Sequence, residues 1–173
     1  PYYPQTPYPS TSGTSVATPV SVPSTCDDYV LLTQAEVDAF PQDCDSARSI
    51  LVGYPSSPQG PSGPSDIANL DGLSGLTSVE SDFIIWVNND LTTLAGLDNL
   101  NSVGGSFTIE YNSALVNLDG LSGLTSVGGT LQIASNANLI NLDDLRNLIS
   151  VGDGLMLENN DTLNNCQGVA PLL

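Results

Sequence analysis

The side chains able to do chemistry in this chain are almost all carboxylates. Nineteen acidic residues stand against Arg48 and Arg146, with no lysine and no histidine, for a formal charge of −17. Histidine is the commonest general base and metal ligand, so its absence removes both roles. Without lysine there is no Schiff base and no phosphate-binding ammonium, and a cysteine nucleophile would lack its imidazole partner. Glycoside hydrolysis remains, but it needs two carboxylates converging in a cleft. Glu110 and Glu158 are the pair the spacing offers. They fall two strands apart, about 10 Å, with Ala134 between them and no sign of a pocket. No enzymatic activity is expected.

The column Asp71, Asp119 and Asp143 offers oxygen ligands of the kind Ca²⁺ prefers. Neither a D-x-D-x-D-G loop nor a G-G-x-G-x-D repeat occurs, so solvated turn carboxylates are the expectation, with no metal and no cofactor. The acidity excludes nucleic acid and an anionic membrane surface as partners, because both need cationic protein surface. No stretch of about 18 apolar residues is present, so no membrane span is expected. The chain starts Pro-Tyr-Tyr-Pro, without a charged or apolar leader, and a secretory signal is expected to have been removed or to lie outside it.

Three cysteines are present. Cys26 and Cys44 flank a short helix signal and are expected to bridge, the alternative being two buried free thiols. A disulfide implies an oxidising, extracellular compartment. Cys166 occupies a position that is leucine in the four other copies of the pattern described next, and burial as a small hydrophobe is expected. Asn160-Asp161-Thr162 is the one N-x-[ST] sequon, which makes Asn160 an N-glycosylation candidate.

These residues are carried on a repeat. From Ile67 onward the chain repeats every 24 residues without insertion: 67–90, 91–114, 115–138 and 139–162, with a fifth copy starting at Leu163. A fixed period of this length marks a solenoid, in which each repeat is one coil that buries its neighbours' apolar faces. Leucines recur at positions 1, 4, 7 and 10 of the repeat, a spacing of three that marks one side of a tightly wound segment. Valine fills position 13 as Val79, Val103, Val127 and Val151. Positions 17 and 19 alternate as a strand: Phe83/Ile85, Phe107/Ile109, Leu131/Ile133 and Leu155/Leu157. Positions 18 and 20 point outward, and there Ile84 and Trp86, with Val87 beside them, form the most apolar spot on the sheet face. It is either a partner contact or is covered by the loop at 56–66. Gly104-Gly105 and Gly128-Gly129 mark a corner that needs positive φ or close approach. Asn88, Asn112, Asn136 and Asn160 recur after the strand and are expected to form a ladder. That role competes with a sugar on Asn160.

Two segments precede the solenoid. Residues 26–66 read as an N-terminal cap: Thr33-Gln-Ala-Glu36 is a capping box opening a short helix, Val37 and Phe40 share one face, Pro41 ends it, and 49–52 is a first strand. Residues 56–66 are a Pro/Gly/Ser loop. Residues 1–25 are Pro, Ser, Thr, Tyr and Val almost throughout, which suits an extended, O-glycosylated stalk. Thr6, Ser10, Thr11, Ser12, Thr14, Ser15 and Thr18 are the candidate acceptors. Within this tail Thr14, Val16, Thr18, Val20 and Val22 alternate as one face of a strand without its own sheet, a candidate for pairing with another molecule's edge or else an ordinary linker.

With the repeat L-x-x-L-x-x-L-x-x-L-x-S-V-G-G-x-L-x-I-x-x-N from Ile67 and the lead-in TQAEVDAF before a cysteine and a short strand, residues 26–173 resemble the receptor L-domain-like, leucine-rich-repeat β-solenoid family. Its members include the insulin- and EGF-receptor L domains, fungal wall proteins, and secreted bacterial and protist proteins. The resemblance implies an all-β, right-handed parallel β-solenoid with a short helical cap and an extended tail, in a secreted, glycosylated, non-enzymatic protein. Residues 1–9 resemble extensin-like wall glycoproteins, which would imply hydroxylated, sugar-bearing Pro4, Pro7 and Pro9. Two functions follow as expectations. The first is a glycosylated structural subunit of a cell-surface fibril or wall layer, a head-to-tail homopolymer joined through the solenoid ends and the tail strand. The second is an adhesion or receptor-type module binding a peptide or glycan on the sheet face.

Overall fold

The structure, a computed structural model, describes residues 25–54 and 65–172. The tail calls (Pro4, Thr6, Pro7, Pro9, Ser10, Thr11, Ser12, Thr14, Ser15, Val16, Thr18, Val20, Val22) and nearly all of the 56–66 loop lie outside the described residues. What is described is a parallel β-solenoid of about five coils.

Each coil has a wound half and a strand half. The wound half follows from leucine at every third position. With three residues per turn, side chains at i and i+3 eclipse, so one face becomes wholly apolar. Backbone bonds of the i→i+3 kind hold it: Leu73 N donates to Leu70 O at 2.8 Å, and Leu76 N to Leu73 O at 2.9 Å. The strand half is a short strand on each side of the position-14 corner. β1 (Thr25–Leu31), β2 (Ser46–Gly53), β3 (Ser78–Val79), β4 (Phe83–Trp86), β5 (Ser102–Val103), β6 (Phe107–Glu110), β7 (Ser126–Val127), β8 (Thr130–Ala134), β9 (Ser150–Val151) and β10 (Gly154–Glu158) join into one sheet. Its order is β10-β8-β6-β4-β2-β3-β5-β7-β9, with β1 on β2. Every pairing is parallel, and from β3 and β4 onward each is in register across one repeat, as in Phe83–Phe107–Leu131 and Ser78–Ser102–Ser126.

The two ladders separate at the corner, and close approach rather than positive φ explains the glycines there. A Cβ on Gly104 would collide with the Glu80 carbonyl, and one on Gly128 with the Gly104 carbonyl. Positive φ falls instead one residue past each strand, at Val87, Tyr111, Ser135 and Asn159, with φ of 57°, 57°, 56° and 53°. For a β-branched residue such as Val87 the left-handed region costs roughly 1–2 kcal/mol. Four unrelated side chains share this geometry, so the backbone path is imposed by the neighbouring coils.

The positions predicted to face inward do so. The leucines at positions 1, 4, 7 and 10 from Leu70 to Leu148 are fully buried, with Phe83, Ile85, Phe107, Ile109, Leu131 and Ile133. Phe83 and Phe107 stack at 4.9 Å between ring centroids. The asparagine column forms a ladder. Asn88 N donates to Asn112 Oδ1 (3.1 Å), Asn112 N to Asn136 Oδ1 (3.0 Å) and Asn136 N to Asn160 Oδ1 (3.0 Å). Each side-chain amide nitrogen donates back to the coil before: Asn112 to Ile85 O (3.1 Å), Asn136 to Ile109 O (2.9 Å) and Asn160 to Ile133 O (2.8 Å).

The cap follows its predicted chemistry. The helix α1 (Gln34–Asp38) carries a complete capping box between Thr33 and Glu36, and Val37 and Phe40 are buried over the first coil. Cys26 and Cys44 are joined, their Cα atoms 5.9 Å apart. Two features differ from expectation. The first strand is longer than 49–52, spanning Ser46–Gly53, and a further strand, Thr25–Leu31, lies outside it in parallel. Its alternation is hidden by Asp27 and Asp28, which extend from the edge toward Arg48 at 3.9 and 3.7 Å.

Replacing Asn112 with alanine strands the buried Asn88 N–H and the Ile85 carbonyl. A loss of about 3 kcal/mol is expected, read as a lower denaturant midpoint, with a clearly smaller loss for Asn160→Ala at the half-buried end of the ladder.

Candidate functional site

Two surfaces stand out, one at the end of the rod and one on its flank. At the last described coil the burial pattern changes. Val151, Leu155, Leu157, Leu163 and Leu172 are only partly covered, whereas their equivalents in earlier coils are buried. Ile149 is 74% exposed and Met156 43%. β9 and β10 are the two ends of the strand order, so each offers one side of its backbone to solvent. Between them and the final wound segment, Gln167–Leu172, lies a groove of about 500 Å³ lined by Val151, Leu155, Pro171 and Leu172. Cys166 belongs to this end. It was expected to be buried and is instead exposed, as the free cysteine among the described residues, because no coil lies over it.

The opposite end is better covered, although β1 is itself an edge strand, paired only with β2 among the described residues, with Val30 56% exposed. Val37 and Phe40 cover the first coil, Tyr29 packs on Phe40 at 4.7 Å, and the outer strand carries Asp27 and Asp28, charges that oppose further pairing. Among the described residues the two ends therefore differ, one covered by the helix and its charged edge strand and the other showing the apolar side of a coil.

On the flank, Ile84 and Trp86 lie on the outer sheet face, both half-buried. Trp86 has a neighbour that the position-20 column does not reveal. Tyr111, one residue past its strand in left-handed conformation, swings alongside it with ring centroids 6.3 Å apart and planes at 14°. The Trp86 indole Nε1 is buried and has no acceptor among the described residues. No period-2 reading finds Tyr111, because the turn of the backbone after the strand, not the alternation, brings it onto this face.

The carboxylates gather in two places. Glu110 and Glu158 flank Ala134, which is nearly fully buried between them although its position was expected to face outward. Desolvation, and then the charge of Glu158, raise the Glu110 pKa above the ordinary carboxylate value. On the wound side, Asp144 is raised chiefly by desolvation and then by Asp119, whose charge and hydrogen bond lie one coil back; Asp143 adds to the shift and Arg146 opposes it. Among the described residues no three His, Cys, Asp or Glu side chains come together as a metal ion would need. No described helix is long and apolar enough to cross a membrane.

Asn160 is tied on both sides of its amide, accepting from Asn136 N and donating to Ile133 O, and Thr162 Oγ1 donates to Ala137 O and Leu139 O at 2.8 and 2.9 Å. The sequon therefore sits on the last rung of the ladder, with Asn160 half-buried.

No family model, curated protein or solved structure matches this chain.

The raised carboxylates give stability a direction with pH. The folded state holds these protons more tightly than the unfolded chain does. Their contribution is thus present in acid and is lost as pH climbs through the raised folded values. Glu110→Gln is expected to raise the thermal midpoint at neutral pH and to leave it nearly unchanged near pH about 4, as scanning calorimetry at the two pH values would show.

Proposed function

We propose that this protein is a non-enzymatic structural subunit of an extracellular fibril or wall layer, assembling head to tail into a homopolymer. The observation that carries this reading is the asymmetry of the rod. Among the described residues the open end displays Ile149, Val151, Leu155 and Met156 beside unpaired strand edges, while at the other end α1 covers the first coil and the edge strand carries Asp27 and Asp28. Unpaired edges template the addition of another strand, and a heterologous contact that does not close into a ring propagates as a filament. The disulfide Cys26–Cys44 fits an oxidising compartment. The repeat residues support membership of the receptor L-domain-like, leucine-rich-repeat group of cell-surface proteins. In this reading the Ser/Thr/Pro tail carries glycans, Asn160 being held in the ladder through its amide, and the charge of −17 keeps the polymer's flanks hydrated.

A second reading has its own observation. The Trp86–Tyr111 stack, with a buried indole N–H lacking an acceptor among the described residues, is the kind of amphipathic aromatic surface that a peptide or glycan ligand would cover. It belongs to a recognition module of adhesion or receptor type. Trp86→Ala would then abolish ligand capture without altering assembly.

Assembly is checked by sedimentation across a concentration series and by electron microscopy. Filaments are expected from the intact chain, and Ile149→Asp is expected to suppress them while shifting the melting temperature by no more than a few degrees. Monodisperse monomers of the intact chain at every concentration would remove the structural reading.

A further inference from the structure

The open end has a register, and one segment of the chain matches it. The inward side chains of the strand half follow a spacing of four, then two: Val127, Leu131, Ile133 in one coil and Val151, Leu155, Leu157 in the next. The covered end follows three, then two: Cys26, Tyr29, Leu31 against Ala47, Ile50, Val52. In the tail, Val16, Val20 and Val22 are spaced four, then two. The residue before Val16 is Ser15, and the residues before Val127 and Val151 are Ser126 and Ser150. Thus Ser15-Val16-Ala17-Thr18-Pro19-Val20-Ser21-Val22 reproduces the strand half of a coil, in the spacing of the open end and not of the covered one. The wound segment Leu163–Leu172 already supplies positions 1 to 10 of a coil over that end, and Ser15 would take position 12.

We propose that residues 15–22 of a second copy add in parallel to β9 and β10. Ser15 lies over Ser150, Val16 over Val151, Val20 over Leu155 and Val22 over Leu157, which completes the coil begun by Leu163–Leu172. This rests on the assembly reading above and specifies its joint. The prolines fit this register. Pro19 takes position 16, where the backbone N–H of the interior coils bonds to a side chain and not to the ladder: Ser106 N donates to Asp82 Oδ1 (2.8 Å) and Thr130 N to Ser106 Oγ (3.3 Å). The residue beneath Pro19 is Gly154, which has no side chain to accept from and has open space around its Cβ position. The carbonyl at this position accepts from the coil before, as Ser106 O does from Phe83 N at 2.9 Å, so Pro19 O is placed to receive the Leu155 N–H. Pro23 falls on the last strand position and ends the pairing. Ala17 is the misfit. It takes position 14, where Gly152 rests on the Gly128 carbonyl so closely that a Cβ would collide. The docked strand must stand off at that corner.

The donor is another molecule because of reach. From Val22 to Thr25 is three residues, at most about 11 Å of chain. From β1 to a strand beyond β10 is six strand steps, about 29 Å. A chain cannot complete its own open end.

The test uses the full chain in a Cys166→Ala background, with Ser21→Cys and Met156→Cys together. In register, these Cα atoms lie about 4.8 Å apart, inside the range of about 4.4–6.8 Å that a disulfide spans. Oxidation of assembled material with copper phenanthroline is expected to give a ladder of covalent multimers on non-reducing gels, and Ser21→Cys with Glu158→Cys, offset by two residues, is expected to give monomers. Ala17→Gly is expected to lower the concentration at which assembly begins by roughly fivefold, by relieving the corner. Filaments without the in-register cross-link, filaments cross-linked by the offset pair, or an Ala17→Gly chain that assembles no more readily would overturn this joint while leaving the assembly standing. Monomers at every concentration would overturn both.

Discussion

The asparagine ladder is the constraint on which the rest of the rod depends. Leaving the strand, the chain must turn with backbone groups pointing into a dry interior, where an unpaired amide costs about as much as several kilocalories of good packing can offset. Asn112, Asn136 and Asn160 solve this by serving the coil before their own, each accepting that coil's asparagine backbone N–H and donating to one of its carbonyls. The geometry works only if successive asparagines lie one strand step apart. Any insertion between them would move the amide off its partner, and the unbroken period of the repeat meets that requirement. The leucine columns and the paired strands then fall into register without further specification.

The fold was legible because two periodicities alternate inside one longer one. Leucine at every third position marks the wound half, and Phe83/Ile85 and its equivalents mark the strand; each signal is local and strong. The cap was partly legible. Thr33 and Glu36 announce the helix, but Thr25–Leu31 hides its strand character behind Asp27 and Asp28, which the alternation rule counts as turn residues. The candidate surfaces were less legible. Trp86 was visible as an outlier in its column, whereas Tyr111 reaches it only through a left-handed residue that no composition predicts. Cys166 was misread because its position is buried in every coil that has another above it. Burial in a repeat protein belongs to the neighbour as much as to the residue.

The two ends of the rod follow different rules for the same reason. A solenoid coil is stable when both faces are covered, so a terminal coil must be capped or left available. At the N-terminal end, a helix, a disulfide and two edge carboxylates do the capping with about forty residues of dedicated sequence. At the other end nothing comparable is described, and the apolar groove beside Val151 and Leu155 is a coil's interior seen from outside.

The line of left-handed residues after each strand has a consequence of its own. Val87, Tyr111, Ser135 and Asn159 hold one backbone shape with four different side chains, so the shape is set by the stacking of the coils more than by the residue, at a cost only where the residue is β-branched. Along this line the rod can exchange one chemistry for another at intervals of a single strand step, without disturbing the path of the chain. It is a row of interchangeable mounts, and in this molecule one of them already holds a tyrosine against a tryptophan.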